Sequence, residues 1–338
     1  MPAAGTHGSK RKIAILPLHI DTTSFTNPPP QTLYPWRRIF NKRQLPFLII
    51  LTLFTISITF NLVQYGRHHR SLVKTASITS FSTDPVPQSR LLESNHAIIV
   101  AGHAIFVGSL TDNLHSDENW VLEPFQRKGQ VSTFIQHIEK GLEVAGKDPK
   151  SILIFSGGQT RLAAGPRSEG LSYWLIAEEL KRRNDTLGMV GNERIVTEEY
   201  ARDSYENLLF SICRFYEVTG QYPTSITVIG FDFKRKRFQE IHLPSIRYPI
   251  DRFQYIGIDP TSDPVSASEW LAGEAANSQG PFQMDLYGCH GSLKQKKMDR
   301  NPFRRRHPYR ITCPALAELI DYCPDDNSIF SGPLPWDT

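Results

Sequence analysis

Residues 151–160 read SILIFSGGQT, a continuous apolar run that ends in a serine and two glycines. Four consecutive apolar residues, without the alternation of a half-exposed strand, are typical of a strand buried on both faces of a sheet. Two glycines directly after such a strand allow the chain to turn tightly. The stretch therefore predicts an inner strand of a parallel sheet, followed by a turn at the carboxyl edge of that sheet.

Similar apolar runs occur on both sides of this stretch, at residues 97–100, 194–196, 226–229 and 253–256. Between the runs, apolar residues recur at helical spacing over residues 134–142, 171–180 and 208–216. Strands that alternate with helices form right-handed βαβ units. We therefore predict a Rossmann-like, doubly wound α/β domain with a parallel sheet over residues 94–259. A mainly helical C-terminal extension is expected over residues 260–338, with helices at 266–276 and 314–322 joined by a basic, aromatic loop.

An uncharged stretch precedes the predicted domain. Residues 46–63 read PFLIILTLFTISITFNLV, and basic residues flank both ends. In a helix this stretch spans roughly 27 Å, close to the hydrocarbon core of a bilayer at about 30 Å. A buried core helix is the alternative, but such a helix rarely lacks a polar face. We predict a transmembrane helix over residues 46–64, which contacts the lipid bilayer, between a disordered basic tail over residues 1–45 and a stalk over residues 65–93.

The charges around this segment set its expected orientation. Basic residues lie just before it at positions 37, 38, 42 and 43, and just after it at positions 67, 70 and 74. The positive-inside rule favours a cytosolic N-terminus by a small margin. We therefore expect a single-pass protein of the endomembrane system with its large domain in the lumen. There, Asn184 of the sequon Asn184-Asp185-Thr186 would accept a glycan on a surface loop.

Cysteine content and charge exclude several classes of protein. The four cysteines, Cys213, Cys289, Cys313 and Cys323, are too few for a disulfide scaffold, and they lack the CxxC spacing of a zinc site. Cys213 lies on the apolar side of its helix, which predicts a buried free thiol, and one pair among the other three would form a disulfide in an oxidising lumen. The basic run at 294–310 matches no recognised nucleic-acid-binding motif, so no nucleic acid partner is expected.

Candidate site residues follow the predicted strands, because ligands of open parallel sheets bind at the carboxyl edge. The first strand ends in Gly102 and His103, and the second ends in Ser156, Gly157 and Gly158, with Thr160 close behind. The amides of the two glycines would cradle an anion, although an ordinary βα turn accounts for the same glycines. Neither a Walker loop nor a GxGxxG sequence follows these strands.

Acidic and amide side chains begin the next two predicted helices. Glu169 lies in the first turn of a helix that Pro166 is expected to open, where it either complements the helix macrodipole or acts as acid, base or metal ligand. Asp203 and Glu206 have the spacing of a capping box, which accounts for both without catalysis. Asn207 is a poor helix former and is therefore the better candidate for a ligand contact.

Four cations, residues 234–237, follow the fourth predicted strand. They form either a solvated helix face or the entrance for an anionic ligand. Arg237 is the best candidate for a bidentate contact with such an anion.

In this order, the motifs at 98–103, 156–158, 169, 203–207 and 237 resemble the domain-of-unknown-function 218 family, typified by bacterial SanA, ElyC and YdcF. The likeness covers residues 95–258, about half of the chain, and the flanking sequences at 285–289 and 300–305 are similar to a fungal branch of that family. The resemblance implies a Rossmann-like fold, often on a membrane anchor, and a shared polar pocket; a small anionic or nucleotide-like ligand has been considered for some members. Bacterial members commonly carry a histidine shortly after the fourth strand, where this chain has Lys234, so either His103 or His242 takes its role or the activity differs.

Three functions fit these residues. The first is an enzyme, a hydrolase or transferase, that acts on a phosphorylated or lipid-linked substrate. In it, the glycine amides and Arg237 hold the anion, His103 or Glu169 serves as general base, and Asn207 orients the substrate, with Ser156 and Thr160 completing the ligand-binding set. The second is a non-catalytic module that binds a nucleotide-like ligand. The third is a membrane scaffold whose basic C-terminal loop lies on acidic lipid head groups. The sequence indicates no particular cofactor and no metal site.

Overall fold

The computed structural model describes residues 50–64, 91–127, 129–261 and 264–337. Residues 50–64 are helical and their side chains are exposed. Within the described ranges, no helix combines the length and the apolar character that a membrane crossing requires. The predicted tail over 1–45, the first four residues of the predicted 46–64 segment and residues 65–90 of the predicted stalk lie outside the described residues.

Five parallel strands form the main sheet. They are β1 (His96–Ala101), β4 (Ser151–Ser156), β5 (Ile195–Glu198), β6 (Ser225–Gly230) and β7 (Phe253–Gly257), in the spatial order β5-β4-β1-β6-β7. Every neighbouring pair in this sheet is parallel. A short antiparallel ribbon, β2 (Ile105–Phe106) with β3 (Trp120–Val121), follows β1. All five apolar runs of the sequence are therefore strands of one sheet.

Helices cover both faces of this sheet. Alternate side chains of β1 enter two separate cores: Ile98 and Val100 pack with α1 (Gln130–Lys147) and α2 (Glu169–Arg183), whereas Ala97 and Ile99 pack with α3 (Ser204–Thr219). Burial on both sides is the reason why the inner strands carry continuous apolar runs such as residues 97–100 and 152–155. The prediction of an α/β fold with a parallel sheet flanked by helices is confirmed, and the arrangement is consistent with a Rossmann-like fold.

The chain after β6 forms short helices and the strand β7, joined by loops. A π-helical turn (Arg237–His242) continues into α4 (Leu243–Ser245). After β7 come α5 (Pro264–Glu274), the π-helical turn Ala275–Gln279, α6 (Gly280–Met284), α7 (Gly291–Asp299), α8 (Tyr309–Thr312) and α9 (Ala317–Asp321). The extension packs on the α3 side of the sheet, where Tyr309, Leu316 and Trp336 join the same core as α3. The expectation of a basic loop in this region is wrong over α7, which buries only Leu293 and so lacks the apolar stripe that would have revealed it.

Helix capping explains polar residues at the starts of α2 and α3. Ser168 Oγ accepts a hydrogen bond from the amide of Leu171 (2.9 Å), so α2 begins at Glu169 and not at Pro166 as expected. At the start of α3, Asp203 accepts from the amide of Glu206 (2.9 Å), which confirms the cap. The carboxylate of Glu206 in turn accepts a hydrogen bond from the amide of Arg202 (2.8 Å). Helix capping therefore accounts for both Asp203 and Glu206.

The cysteines divide as expected. Cys289 and Cys323 form a disulfide within the extension, and Cys213 and Cys313 are buried free thiols. Asn184 of the sequon is exposed at the C-terminal end of α2, as the surface-loop prediction required.

Candidate functional site

The course of the chain across the sheet creates a crevice at β1. The chain runs from β1 to β4 and β5 on one side, and then crosses to β6 on the other side of β1. The helices that follow β1 and β4 lie on one face, and the segments that follow β5 and β6 lie on the opposite face. The loops after β1 and β6 therefore diverge, which leaves the usual ligand site of a doubly wound sheet between them.

Two basic side chains meet in this crevice. Lys234, in the turn after β6, places its Nζ 3.4 Å from Nδ1 of His103, which follows β1. The His103 ring stacks on Phe231 at a centroid distance of 4.7 Å, and the His103 carbonyl accepts a hydrogen bond from Gln126 Nε2 (2.7 Å). Burial, and then the neighbouring Lys234, lowers the pKa of His103 well below its usual range. The imidazole is therefore neutral at neutral pH.

The same surroundings also lower the pKa of Lys234. Its Nζ lies 5.0 Å from the centroid of the Phe231 ring and 5.8 Å from that of Phe233. Burial, reinforced by the positive charge of Arg237, lowers the pKa of Lys234 to about 7. In the sequence, Lys234 stands out only as one of four cations after the fourth strand and as a departure from the bacterial histidine. The available signal was a lysine on an aromatic turn directly after a buried strand.

The second histidine considered, His242, lies elsewhere. It is fully buried among Tyr205, Phe238 and Phe282, and its Nε2 is 2.7 Å from Ser204 Oγ. Burial lowers its pKa well below the usual range. The structure thus brings His103, and not His242, to Lys234.

Glu169 lies over the turns that end β1 and β4. A Cβ atom built on either Gly102 or Gly157 would lie 2.7 Å from Glu169 Cβ, so glycine is required at both positions. Thr160 donates a hydrogen bond from its Oγ1 to Glu169 Oε1. The carboxylate is buried at the N-terminus of α2, where the helix dipole stabilises negative charge. The structure thus brings together Glu169 and Thr160.

The two glycine amides after β4 are engaged within the protein. Gly157 donates to the carbonyl of Glu198 (2.9 Å), and Gly158 donates to the carbonyl of Ala201 (2.7 Å). The prediction that these amides cradle an anion is therefore wrong. A Cβ at Gly158 would lie 2.8 Å from the Ala201 oxygen, so this glycine allows the loops after β4 and β5 to approach each other.

Ser156 and Asn207 belong to a buried polar network. Ser156 Oγ lies 2.8 Å from Glu198 Oε2 and 3.0 Å from Asn207 Oδ1. Asn207 is buried, and its oxygen faces Ser156, so its observed contact joins β4 to α3. The hydroxyl of Tyr309 donates to Glu198 Oε1 (3.0 Å). Burial raises the pKa of Glu198 to about 7 despite these donors. Sequence reasoning missed Glu198, because nothing local distinguishes it from Glu199.

Arg237 is buried, with 6% of its surface exposed. Its Nε lies 3.2 Å from Oε1 of Glu274, which is the last residue of α5 and also buried. Neither of these two atoms has a hydrogen-bond partner among the described residues, so the contact is ionic. Burial lowers the pKa of Arg237 although Glu274 opposes the shift. The alternative of a solvated basic face is wrong for Arg237, and its guanidinium already faces a carboxylate.

A cavity of about 320 Å³ opens between the loops after β4 and β5 and the extension. Its walls are rich in cations and comprise Gln159, Glu199, Tyr200, Arg202, Arg300, Asn301, Arg305, Arg306, His307 and Arg310. Arg202 pairs with Glu206 (2.6 Å) and Arg310 with Asp321 (2.8 Å). The sequence showed this basic run but not the cavity that it lines.

Three arginines of the cavity, Arg300, Arg305 and Arg306, form no ion pair with a described residue. The Arg305 guanidinium lies 4.3 Å from the centroid of the Tyr200 ring, and Arg300 Nη1 donates to the carbonyl of Arg202 (2.9 Å). The charge of Arg300 also contributes to the lowered pKa of Lys234, so the cavity and the crevice are electrostatically linked. We call the cavity and the crevice together the cationic site.

Potential metal ligands occur together at one place in the described part of the chain. Cys289, His290 and Cys323 place one ligand atom each within 4.8 Å of one another. The disulfide engages both sulfur atoms, so this arrangement does not offer a metal ion its thiolates.

Comparison with known proteins identifies a yeast relative of the chain. No protein-family model and no solved structure matches the chain. The resemblance to the domain-of-unknown-function 218 family therefore stays a prediction. The sequence is 31% identical, over an alignment of 296 residues, to uncharacterized protein YOR238W of Saccharomyces cerevisiae. The alignment covers 72% of the chain and 98% of the yeast protein. The chain therefore belongs to the same family as the yeast protein YOR238W.

Proposed function

We propose that the protein is a hydrolase or transferase that acts on a phosphorylated substrate. The observation that carries the proposal is the cavity of the cationic site, in which Arg300, Arg305 and Arg306 form no ion pair with a described residue. The crevice of the cationic site supplies a neutral histidine, His103, and a buried carboxylate, Glu169, at the carboxyl edge of the sheet. The binding step, the proton transfer and the membrane location are supported by different residues.

Substrate binding is assigned to Arg300, Arg305 and Arg306. The guanidinium group matches the oxygens of a phosphate in a planar, bidentate geometry, and charge-assisted hydrogen bonds are stronger than neutral ones. Three cations without carboxylate partners suit a doubly charged group better than a single carboxylate. The volume of about 320 Å³ lies at the lower end of the range for small-molecule sites, so the bound part of the substrate is small.

Proton transfer is assigned to the crevice. His103 is neutral because of its burial, and it can therefore accept a proton from an attacking water or hydroxyl group. Glu169 is the second candidate, since its carboxylate lies above the turns after β1 and β4. Thr160 fixes the orientation of this carboxylate.

The membrane location extends the sequence prediction. We propose that residues 46–64 anchor the protein and that the large domain lies in a lumen of the endomembrane system. The disulfide between Cys289 and Cys323 supports an oxidising compartment. An anchored enzyme would meet lipid-linked phosphates, so these are included in the substrate class.

Binding of inorganic phosphate to the full-length protein in detergent, measured by calorimetry, tests the proposal. Replacing Arg300 and Arg306 together by methionine should weaken binding about tenfold or more, because each charge-assisted contact contributes about 1.5–3 kcal/mol. Arg252→Met is the matched control, since Arg252 is exposed and does not line the cavity. Equal affinity in all three proteins would contradict the proposal.

Turnover separates an enzyme from a binding module. Release of phosphate from a panel of phosphomonoesters should be detectable with the wild-type protein and strongly reduced by Glu169→Gln or His103→Asn. Phosphate binding without turnover of any ester would instead indicate a ligand-binding module.

A further inference from the structure

Lys234 has no part in the function proposed above, yet it occupies the centre of the crevice. Among the described residues it forms no ion pair, and its polar contact is the one to Nδ1 of His103 at 3.4 Å. The Phe231 and Phe233 rings lie on its other sides. A half-buried ammonium group without a carboxylate partner is unfavourable, so this site lowers the pKa of the amine.

Charged and titratable groups face Lys234 from every element around it. They are His103 after β1, His137 of α1, Glu169 of α2, Arg237 on its own segment, Asp259 after β7, Glu274 of α5 and Arg300 after α7. The carboxylate of Glu274 lies against Arg237, and that of Glu169 accepts from Thr160. Arg237 and Arg300 repel the proton of Lys234, whereas Glu274 and Glu169 attract it, and burial outweighs this attraction.

We propose that Lys234, and not His103, is the general base of the cationic site and that His103 positions its amine. The proposal rests on the function proposed above for its substrate class. The amine donates one hydrogen to Nδ1 of His103, which fixes the nitrogen and leaves its lone pair available. The ring of His103 is itself held by stacking on Phe231. This is the arrangement of a reactive group and an orienting partner that activated catalytic groups share.

The chemical step balances without a further reactant. Lys234 Nζ takes a proton from water as the water oxygen bonds to the phosphorus atom of a phosphate ester. The ester P–O bond breaks, and its electron pair stays with the leaving oxygen. The ammonium group then gives its proton to that oxygen. One water is consumed, and an alcohol and inorganic phosphate are released.

Amine labelling tests the proposal without any need for turnover. The full-length protein in detergent is treated with trace acetic anhydride from about pH 5 to about pH 10, and the labelled peptides are quantified by mass spectrometry. Labelling of Lys234 should rise with a midpoint near pH 7. Lys236, which is exposed two residues further on, corrects for the reactivity of the reagent at each pH. In the His103→Asn protein, where water can enter, the midpoint should shift upwards.

Two labelling results would overturn the proposal. One is a midpoint above about pH 9, which would mean an ordinary, protonated lysine. The other is an absence of labelling at every pH, since a general base must be open to its substrate.

Kinetics distinguish the proposal from the function on which it rests. With a phosphomonoester as substrate, Lys234→Met should lower kcat by about 10²–10⁴-fold and leave phosphate binding intact, whereas Lys236→Met should change neither. Full turnover by Lys234→Met together with loss in His103→Asn would identify the histidine as the base and refute Lys234 alone. A wild-type protein that neither binds phosphate nor hydrolyses any ester would refute the proposed function, while the labelling midpoint would still report on Lys234.

Discussion

Replacing Arg237 by methionine should destabilise the α/β domain strongly. The change removes a guanidinium group that lies 3.2 Å from the Glu274 carboxylate. Glu274 is 8% exposed, so its charge would remain buried without a partner. This expectation differs from the sequence prediction, in which Arg237 makes a bidentate contact with an anionic ligand.

The expected loss of stability is large because both side chains of the pair are buried. Breaking a buried ion pair by removing one partner costs about 3–5 kcal/mol, whereas an exposed pair contributes about 0–1 kcal/mol. In a domain of this size each kcal/mol lowers Tm by about 2–4 °C, so Arg237→Met should lower Tm by roughly 6–20 °C. Removing both charges, in Arg237→Met with Glu274→Met, should recover most of the loss, because no unpaired charge is left behind.

Thermal unfolding of the full-length protein in detergent, followed by near-UV circular dichroism, measures these differences. Lys140→Met is the matched control, because Lys140 pairs with Glu143 at 2.9 Å on the partly exposed surface of α1. Its Tm should change by about 2 °C or less. If Arg237→Met unfolds with the control, or if the double variant is no more stable than the single one, Arg237 is open to solvent and the buried pair does not exist.

Three further predictions follow from other parts of the domain. Burial raises the pKa of Glu198 to about 7, so the folded state binds this proton more tightly than the unfolded state. Stability should therefore fall by about 3 kcal/mol as the pH rises from about 4.5 to about 7, and urea titrations should show this slope in the wild type but not in Glu198→Gln. Intact-mass analysis after alkylation without reductant should count two free thiols, and four would disprove the pairing of Cys289 with Cys323. In sealed microsomes the large domain should resist added protease and carry a glycan at Asn184, whereas complete digestion would place it in the cytosol.

The strands were predictable because their environment is uniform. A strand between two cores has no solvent-facing positions, so the run over 152–155 is apolar throughout and is recognisable without any knowledge of its neighbours. The helix α7, in contrast, was not recognisable from its sequence. It is mostly exposed and is held by polar contacts such as that of Lys297 Nζ with Asp203 Oδ2 (3.3 Å), so its sequence carries no apolar periodicity. A helix stabilised through distant charges cannot be recognised from its own residues.

The grouping of the loops at the candidate site was predictable, but the contacts of their side chains were not. The loops at the carboxyl edge could be recognised as neighbours, because parallel strands bring these loops together whatever their sequence. Whether a polar group there is free depends on residues far away in the chain. The amide of Gly158 is engaged by the carbonyl of Ala201, and Arg237 is covered by Glu274. Local patterns contain neither partner, and so the glycine amides and Arg237 were assigned to a ligand.

The extension contributes to the chemistry of the site as well as to the core. Four of the five arginines that line the cavity lie beyond residue 260, and only Arg202 belongs to the α/β domain. Lys297 of α7 also contacts Asp203 and Glu206, the two residues that cap α3, and Glu206 in turn pairs with Arg202. Docking of the extension therefore fixes the one cavity arginine that the α/β domain provides. Under the proposed function, the α/β domain therefore supplies the crevice, and the extension supplies four of the five cavity arginines that would hold the anion.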